Sequence, residues 1–249
     1  MNFKISFTDV DNLEFLVLNP CDKLSDTEYD KLKPYLEGMG GHWREKVGGF
    51  VFSLESISRD MYLQWQEDNQ FFPTPKAVAK RLIELSGIKE YSYNNKPFIL
   101  EPSAGQGSLL DELQIGIDLN YSEYVVEPNE CNAEVLNNKG HVVQLMTFEE
   151  FYAKHKNDEK HITHIIMNPP FSKGRDIKHT MMAYDLLIPG GTLVAVVSEN
   201  SLYYKNENTD KFNDWLKKHN AYIESVPYGS FKDSGTTVDT VIIKIVKEA

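Results

Sequence analysis

A short segment rich in proline, Asn168-Pro169-Pro170-Phe171, directly follows an apolar run. The two prolines lack N–H donors and fix their own φ, and the first also restricts the backbone of Asn168, so the loop is stiff. It presents two hydrogen-bond acceptors, the side-chain oxygen of Asn168 and the carbonyl oxygen of Pro169, with the ring of Phe171 beside them. Two acceptors suit an NH₂ group on a planar substrate. The alternative is a turn in which Asn168 caps a following helix.

A second segment combines an acidic residue with small residues and two glycines. It reads Glu101-Pro102-Ser103-Ala104-Gly105-Gln106-Gly107 and lies between a predicted strand and a predicted helix. Glycine lets a bulky ligand approach the backbone closely. The lysine of a phosphate-binding loop is missing, and a pyrophosphate does not favour a carboxylate at the end of the strand. The segment therefore suits a ligand with a cationic end, although a glycine-rich turn at this place can also be purely structural.

A third candidate follows the next predicted strand, which ends in Glu127-Pro128-Asn129. This carboxylate lies about 20 residues beyond the glycines, where open α/β sheets use one to bind ribose hydroxyls. Glu127 is therefore a candidate ribose ligand. The alternative is an ordinary exposed residue at the end of a strand.

These segments belong to a region in which short apolar runs alternate with helical stretches. This rhythm predicts repeated βα units and a mostly parallel sheet, an α/β fold. The predicted strands are Phe98–Glu101, Tyr124–Glu127, Val142–Leu145, Ile162–Met167, Leu193–Ser198, Tyr222–Val226 and Val238–Val246. The predicted helices are Gly107–Leu113, Cys131–Asn137, Phe148–Lys154, Lys178–Leu187 and Asp210–Lys218. Asn168 then lies at the carboxyl end of a central strand, next to the glycine-rich turn.

The first 70 residues follow a different pattern, with alternating apolar residues that predict strands and a helical spacing between them. The predicted elements are strands in Phe3–Phe7 and Leu13–Leu18, and helices in Ser25–Glu37 and Ile57–Trp65. Between the two helices we predict a hairpin, with Trp43 and Val47 before a Gly-Gly turn and Phe50–Phe52 after it. We therefore predict a small α+β domain at residues 1–70 and a larger α/β domain at residues 71–249.

Composition excludes several classes of protein. The chain has 249 residues, of which 41% are hydrophobic and 25% charged, the balance of an ordinary globular protein. Its longest apolar stretch, residues 191–197, is shorter than a membrane span, and its N-terminus carries acidic residues, so we expect a cytoplasmic protein. Cys21 and Cys131 cannot form a CxxC site, and His161 and His164 have no further ligands at a helpful spacing. We therefore expect no metal site.

The charge balance limits how the chain can meet a polyanion. The formal net charge is −11, and the first 70 residues hold 13 acidic but only 7 basic residues. Nucleic acid would therefore need a locally basic surface. Basic residues that could provide one are Lys173, Arg175, Lys178, Lys205, Lys211, Lys217 and Lys218. For the last three, solvated helix faces are the alternative.

In their order along the chain, Glu-Pro-x-Ala-Gly-x-Gly, Glu127 and Asn-Pro-Pro-Phe resemble the motifs of S-adenosylmethionine-dependent N6-adenine DNA methyltransferases. The segment Phe72-Pro73-Thr74-Pro75 matches members that carry Phe-x-Thr-Pro ahead of the cofactor loop. Three further stretches of the chain resemble short phage and plasmid-borne members of this family, namely Asp176–His179, Pro189–Thr192 and Ser230–Thr237. The resemblance covers roughly residues 71–246 and implies a Rossmann-like class I methyltransferase sheet, mostly parallel, with seven strands and helices on both faces. The small N-terminal α+β appendage lies outside it.

The resemblance also implies which residues hold S-adenosylmethionine. Glu101 lies by its cationic methionine end, Gly105 and Gly107 lie beneath it, and Glu127 binds its ribose hydroxyls. Phe148, following Thr147, lies at the cofactor's adenine, without the Asp that members often carry there. The implied set is Phe72, Thr74, Pro75, Glu101, Pro102, Ser103, Ala104, Gly105, Gly107, Glu127, Pro128, Phe148 and Asn168.

For catalysis, the resemblance implies that Asn168 and the Pro169 carbonyl accept hydrogen bonds from the target amine, within a catalytic segment completed by Pro170 and Phe171. No covalent intermediate is needed, because alignment and electrostatic stabilisation suffice for an activated methyl donor. A base flipped out of duplex DNA would stack on Phe171. The implied substrate-binding residues are Phe171, Lys173, Arg175 and, as a second wall, Phe231.

The leading prediction is a site-specific enzyme that methylates adenine N6 in DNA. No insertion after Phe171 is large enough for the target-recognition domain of a typical self-sufficient member. Sequence recognition would then fall to residues 1–70, to a partner, or to nothing. Because residues 1–70 are themselves acidic, we favour for them a structural or protein-binding role, with a protein partner or by self-association, over direct base reading. One alternative is methylation of adenine N6 or guanine N2 in RNA, or of glutamine in a protein, because the same loop can grip any planar NH₂ group. Another is a non-catalytic acidic binding protein that retains the fold.

Overall fold

A computed structural model describes residues 72–88, 96–116, 121–159, 161–232 and 234–248, together with four strands and four helical positions within the first 70 residues. By its internal contacts the chain divides into two compact units. One contains Met1–Asn69 and Glu130–Asn132, and the other contains Gln70–Asn129 and Ala133–Ala249.

The first unit contains a four-stranded antiparallel sheet with the order β1-β2-β4-β3. Its strands are β1 (Phe3–Val10), β2 (Leu13–Pro20), β3 (His42–Arg44) and β4 (Gly49–Ser53). The two alternating runs are confirmed as strands, and both are longer than predicted because β1 and β2 pair along their full length. The described helical positions 30, 33, 34 and 37 fall within the predicted helix at 25–37.

The predicted hairpin corresponds to the antiparallel pair β3 and β4. Its register pairs Arg44 with Gly49 and Trp43 with Phe50. The prediction that Gly49 belongs to a Gly-Gly turn is therefore wrong, because Gly49 already pairs within the ladder. Val47 and the predicted helix at Ile57–Trp65 lie outside the described residues.

The second unit is built around a seven-stranded mixed sheet with the order β10-β11-β9-β8-β5-β6-β7. Its strands are β5 (Phe98–Glu101), β6 (Ser122–Val126), β7 (Val143–Gln144), β8 (Ile162–Met167), β9 (Leu187–Ser198), β10 (Tyr222–Ser225) and β11 (Thr240–Val246). The five strands from β9 to β7 are parallel, and β11 is antiparallel to both β9 and β10. The predicted mostly parallel α/β sheet of seven strands is confirmed.

Seven helices are described from residue 72 onward. They are α1 (Lys76–Ser86), α2 (Ser108–Gly116), α3 (Glu130–Asn138), α4 (Phe148–His155), α5 (Arg175–Leu186), α6 (Asn200–Tyr203) and α7 (Glu207–Lys218). Helix α7 begins earlier than predicted because the side chain of Asn206 caps it by accepting a hydrogen bond from the Thr209 N–H. No helix in the described part of the chain is long and apolar enough to cross a membrane.

Helix α1 is absent from the predicted set. Its buried residues Val78, Ala79, Leu82 and Ile83 recur at helical spacing, and Pro75 precedes its first turn as the N-cap. This periodicity was therefore available in the sequence as a signal for the helix.

Strand β9 begins six residues earlier than the predicted Leu193. Its pairing with β8 shifts between Ile162 opposite Leu187 and His164 opposite Thr192, so the ladder contains an irregularity around Pro189 and Gly190. A proline and a glycine within the run conceal the start of the strand from a pattern-based prediction.

Side chains of the central strands alternate between two buried clusters, one on each face of the sheet. Leu100, Ile165 and Ala195 face a cluster with α4, α5, α6 and α7, whereas Ile99 and Ile166 face a cluster with α1, α2 and α3. Helices therefore cover both faces, as predicted. A sheet buried on both faces leaves its strand ends as the place where polar side chains can meet a ligand.

Candidate active site

The predicted site residues follow strands whose carboxyl ends share one edge of the large sheet. Glu101 is the last residue of β5, Glu127 follows β6, and Asn168 follows β8. Because β5 pairs in parallel with both β6 and β8, the three side chains emerge at this common edge. The glycine-rich turn also leaves from it, between β5 and α2.

Glu101 places a carboxylate in the interior at this edge. Its side chain is only 2% exposed, and in the described part of the chain neither carboxylate oxygen has a hydrogen-bond partner of ordinary geometry. Burial raises the pKa of Glu101 well above its usual range; the nearby N–H of Ser103 opposes this shift, and the charge of Glu127 adds to it. A buried carboxyl without partners is costly, so the position is suited to receive a cation or a hydrogen-bond donor.

The glycine-rich turn folds tightly against β6 and α2. Ala104 N–H donates to the Val126 carbonyl at 3.1 Å, and Gly107 N–H donates to the Ala104 carbonyl at 2.8 Å. Gly105 and Gly107 have φ values of +54° and +90°, and a Cβ on Gly107 would lie 2.9 Å from Cδ2 of Leu136. Both glycines are therefore required by the backbone itself.

Glu127 is tied to this turn. Its Oε2 accepts a hydrogen bond from Gly105 N–H at 2.7 Å, and its Oε1 accepts one from Asn129 N–H at 2.9 Å. The carboxylate thus joins the loops that follow β5 and β6, a role that sequence spacing does not indicate. The predicted contact of Glu127 with ribose hydroxyls stays a prediction.

Lys139, which was not predicted, also supports the turn. Its Nζ donates to the carbonyl of Gln106 at 2.8 Å and forms an ion pair with Asp111 at 2.6 Å. The sequence shows no motif for this contact, which depends on packing of the α3 end against α2.

The side chain of Asn168 is held in one orientation. Its Nδ2 donates to the carbonyl of Phe72 at 3.2 Å and to Oγ1 of Thr74 at 3.0 Å. A carbonyl can only accept, so the nitrogen must face Phe72 and the oxygen must face away. Oδ1 is buried, and no described group donates to it. Asn168 Oδ1 is thus an acceptor to which no described group donates, and its contact with a target amine stays a prediction.

The rest of the proline-rich segment leads into α5 through a short 3-10 turn at Ser172–Gly174. Pro169 is buried and Pro170 half-buried, and Phe171 packs partly buried against the cluster that includes α1. Lys173 is exposed and has a φ of +59°, a left-handed conformation that is uncommon for a residue with a side chain. The guanidinium of Arg175 donates to both the carbonyl and the hydroxyl of Ser172.

Asp176 secures this segment, although sequence reasoning gave it no separate role. It is fully buried, and its Oδ2 accepts hydrogen bonds from Ser198 N–H at 3.0 Å and Ser201 Oγ at 2.6 Å. Burial raises the pKa of Asp176, whereas these hydrogen bonds lower it. The start of α5 is thereby attached to the carboxyl end of β9.

Other predicted cofactor residues occupy the same edge with different exposure. Pro102 and Ala104 are buried, Ser103 is half-buried, and Pro128 is exposed. Thr147 caps α4: its hydroxyl accepts from Glu150 N–H, and Glu150 accepts from Thr147 N–H in return. Phe148 is buried in the core beside the ring of His179.

Phe231 lies deeper than its predicted role requires. Its ring is 2% exposed and belongs to the core cluster against which Phe171 packs. As placed, it has almost no surface for a second wall, so a stacking contact would need the segment around it to move. Sequence alone shows an aromatic residue in a loop but not how deeply that loop buries it.

The two halves of this edge differ in charge. The acidic loops, residues 101–107, 127–130 and 145–150, contain five Asp or Glu and no Lys or Arg. The basic loops, residues 168–178, 199–206 and 226–239, contain five Lys or Arg against four acidic residues, of which Asp176 is fully buried. Across the described residues, no group of three or more His, Cys, Asp or Glu could hold a metal ion.

Exposed tyrosines accompany the basic loops. Tyr203 and Tyr204, after β9, are 70% and 67% exposed, and Tyr228, after β10, is 84% exposed. Because β10 runs parallel to β9, all three follow strand ends on the same edge as Asn168.

No protein-family model matches the sequence, and a search of curated proteins finds no match. Solved structures do match the fold. One is the methyltransferase subunit of a type I restriction-modification system from Streptococcus thermophilus, with a TM-score of 0.59 and 16% identity over 72% of this chain. This chain spans 45% of that subunit.

Two further structures match more of their own length. A protein described as a class I S-adenosylmethionine-dependent methyltransferase from Listeria monocytogenes has a TM-score of 0.56 and 14% identity, covering 91% of this chain and 76% of its own. An O-methyltransferase from Bacillus cereus, in complex with SAH, has a TM-score of 0.51 and 17% identity, covering 76% of this chain and 90% of its own. The large sheet and its helices therefore have the Rossmann-like class I methyltransferase fold.

Proposed function

We propose that the protein transfers the methyl group of S-adenosylmethionine to the N6 amine of adenine in DNA. The observation that carries this proposal is the orientation of Asn168, whose Oδ1 is buried and aimed away from the two groups that hold its Nδ2. An oriented acceptor at the carboxyl end of a central strand is what a planar exocyclic amine requires.

The residues of the acidic loops fit the proposed cofactor. The carboxylate of Glu101, buried and without partners among the described groups, would receive the cationic amino end of the cofactor. Gly105 and Gly107 present backbone without side chains, and the carboxylate of Glu127, which accepts hydrogen bonds from Gly105 N–H and Asn129 N–H, would bind the ribose hydroxyls. When bound, the cofactor supplies a methyl group already activated on a sulfonium sulfur.

The proline-rich segment would position the target amine for methyl transfer. Asn168 Oδ1 and the Pro169 carbonyl accept hydrogen bonds from the two N–H groups of the target amine, which favours a pyramidal nitrogen with its lone pair directed at the methyl carbon. The cofactor would supply the methyl group and keep the electron pair of the broken S–C bond, so that positive charge would develop on the target nitrogen as the new N–C bond forms. The two oxygens stabilise this charge until the extra proton leaves to solvent.

The basic loops support a nucleic-acid substrate despite the net charge of −11. Lys173, Lys205 and Lys232 are exposed there, and Tyr203, Tyr204 and Tyr228 offer rings on which bases can stack. Phe171 follows Asn168 by three positions and is half-buried, and its ring would face the target base. The likeness to a restriction-modification methyltransferase favours DNA among the substrates that carry a planar amine.

The experiment is nucleoside mass spectrometry after incubation of the protein and S-adenosylmethionine with unmethylated DNA, total RNA or a protein extract, using Asn168→Ala as the control. We expect N6-methyladenine in DNA and none with the variant. Methylation confined to RNA would move the substrate to adenine N6 or guanine N2, and methylglutamine would move it to protein. If no fraction is methylated and the cofactor does not bind, the non-catalytic alternative is correct.

Residues 1–70 enter this proposal only as a site for a protein partner, for self-association or for sequence recognition. Size-exclusion chromatography with light scattering, with and without DNA, tests these roles. A cytoplasmic enzyme carried by a phage or another mobile element remains our expectation for its setting.

A further inference from the structure

The Phe72–Pro75 segment contacts Asn168 directly, a contact that its resemblance to a cofactor-binding segment does not imply. Thr74 Oγ1 lies 3.0 Å from Asn168 Nδ2, and the carbonyl oxygen of Phe72 lies 3.2 Å from the same nitrogen. We propose that Thr74 is a positioning residue for Asn168. Thr74 and the Phe72 carbonyl together hold the side-chain amide of Asn168 so that its Oδ1 faces the target amine. The inference rests on the function proposed above and assigns to Thr74 a role in the transfer step.

The two contacts together determine which end of the amide faces the substrate. An Asn side chain has nearly the same shape when its amide is turned over, so shape alone does not fix the orientation. Both acceptors lie within hydrogen-bond distance of Nδ2, which carries two hydrogens. A turned amide would place Oδ1 against the Phe72 carbonyl, where two acceptors repel. It would also point N–H groups at the target amine, where an acceptor is needed.

The acceptors are themselves held rigidly. Pro73 and Pro75 restrict the backbone on both sides of Thr74, and Pro75 is the N-cap of α1 with its carbonyl accepting from Ala79 N–H at 2.9 Å. Helix α1 buries Leu82 and Ile83 in the core. Thr74 is buried as well, so water competes little for its hydroxyl. Asn168 is thus oriented by groups anchored to a different part of the chain.

A positioning role and a cofactor contact predict different kinetics. If Thr74 contacts the cofactor, its loss weakens cofactor binding, and saturating cofactor restores the rate. If Thr74 positions Asn168, its loss leaves cofactor affinity unchanged and slows methyl transfer even at saturation. The change to Val removes the hydroxyl and keeps the shape, and Ser restores the hydroxyl.

The test compares wild type, Thr74→Val, Thr74→Ser and Thr209→Val, the last a buried threonine in α7 as a control for the loss of a hydroxyl. Thermal melting first establishes that each variant is folded. We expect Thr74→Val to bind SAH with unchanged Kd and to lose roughly 10- to 100-fold in single-turnover rate. Thr74→Ser should recover most of the rate, and Thr209→Val should match wild type.

A second readout does not depend on activity. Side-chain amide signals of Asn168, identified by their loss in Asn168→Ala, should shift and exchange faster with solvent in Thr74→Val but not in Thr74→Ser. A weaker SAH affinity with an unchanged rate at saturation, or unchanged Asn168 signals, would overturn the positioning role. If wild type methylates no substrate, the proposed function fails, and the amide signals still decide how Asn168 is held.

Discussion

The acidic and basic loops occupy two halves of one sheet edge, yet their charges are arranged for different purposes. In the acidic loops the important carboxylates are withdrawn from solvent, because Glu101 and Glu127 are both buried. In the basic loops Lys173, Lys205 and Lys232 stand exposed. Buried charges act at short range on a group that touches them, whereas exposed charges attract a polyanion over a Debye length. Asn168 lies at the border, where a cationic ligand and an anionic strand would meet.

Replacing Glu101 by Gln should have the largest effect among the changes in the acidic loops. The variant removes the buried charge that would pair with the cofactor, and we expect its affinity to fall roughly 10- to 100-fold. Because burial raises the pKa of Glu101, its ionised form gains population as pH rises. Wild-type affinity should therefore increase as the pH is raised above the usual pKa of a glutamate in calorimetric titrations, and the variant should lack this increase. Equal affinities and equal pH profiles would show that Glu101 does not contact the cofactor.

The same substitution also predicts how stability depends on pH without ligand. A carboxyl whose pKa is higher in the folded than in the unfolded chain binds more protons when folded, so wild type loses stability as pH rises between the two values. Gln cannot ionise. The melting temperature of Glu101→Gln relative to wild type should therefore rise from pH 4.5 to pH 8. A constant difference would contradict the buried, partner-poor state of Glu101.

Glu127→Gln tests whether the glycine-rich turn is held by its carboxylate. Gln retains one acceptor, so either Gly105 N–H or Asn129 N–H would face an NH₂ group instead of an oxygen. An unsatisfied N–H costs about 1–3 kcal/mol, and we expect roughly tenfold weaker cofactor binding. The exposed Glu130→Gln is the matched control because it removes the same charge nearby without these bonds. If both variants bind equally weakly, the acidic half acts by charge alone.

Reversing the charge of two lysines in the basic loops should weaken nucleic-acid binding more than it slows catalysis. For Lys173→Glu with Lys205→Glu we expect a KM for DNA about tenfold higher at low salt and a salt-dependence slope smaller by about 2. The control reverses Lys211 and Lys217, which pair with Glu207 and Asp214 on α7. An equal effect of both double variants would remove the distinction between the basic loops and the rest of the surface.

Much of this edge could be predicted from the sequence, because its residues directly follow apolar strands. Asn168 and Glu101 were identified from strand-end position and residue type, and the structure places both at the same edge. The parallel order of the strands follows from the βα rhythm. The chemistry proposed for these two residues could therefore be predicted from the sequence.

Contacts between distant parts of the chain could not be predicted. Thr74 and Asn168 are 94 positions apart, and Asp176 reaches Ser198 and Ser201 through packing of α5 against β9. The depth of Phe231 likewise depends on how one loop folds over a core. Such facts arise from tertiary packing, which no local pattern encodes. Helix α1 differs, because its spacing of Val78, Leu82 and Ile83 was present in the sequence.

Thr147→Ala should have the smallest effect, and it tests how far the cofactor site extends along the acidic loops. The resemblance places Thr147 and Phe148 by the adenine of the cofactor, whereas the structure uses the Thr147 hydroxyl to cap α4. Loss of this cap should cost about 1 kcal/mol, or roughly 2–4 °C in Tm, with cofactor affinity unchanged. Thr147→Ser keeps the capping oxygen and should melt like wild type. A fall in affinity that Ser does not rescue would mean that Thr147 touches the cofactor, and the cofactor site would then extend to the loop after β7.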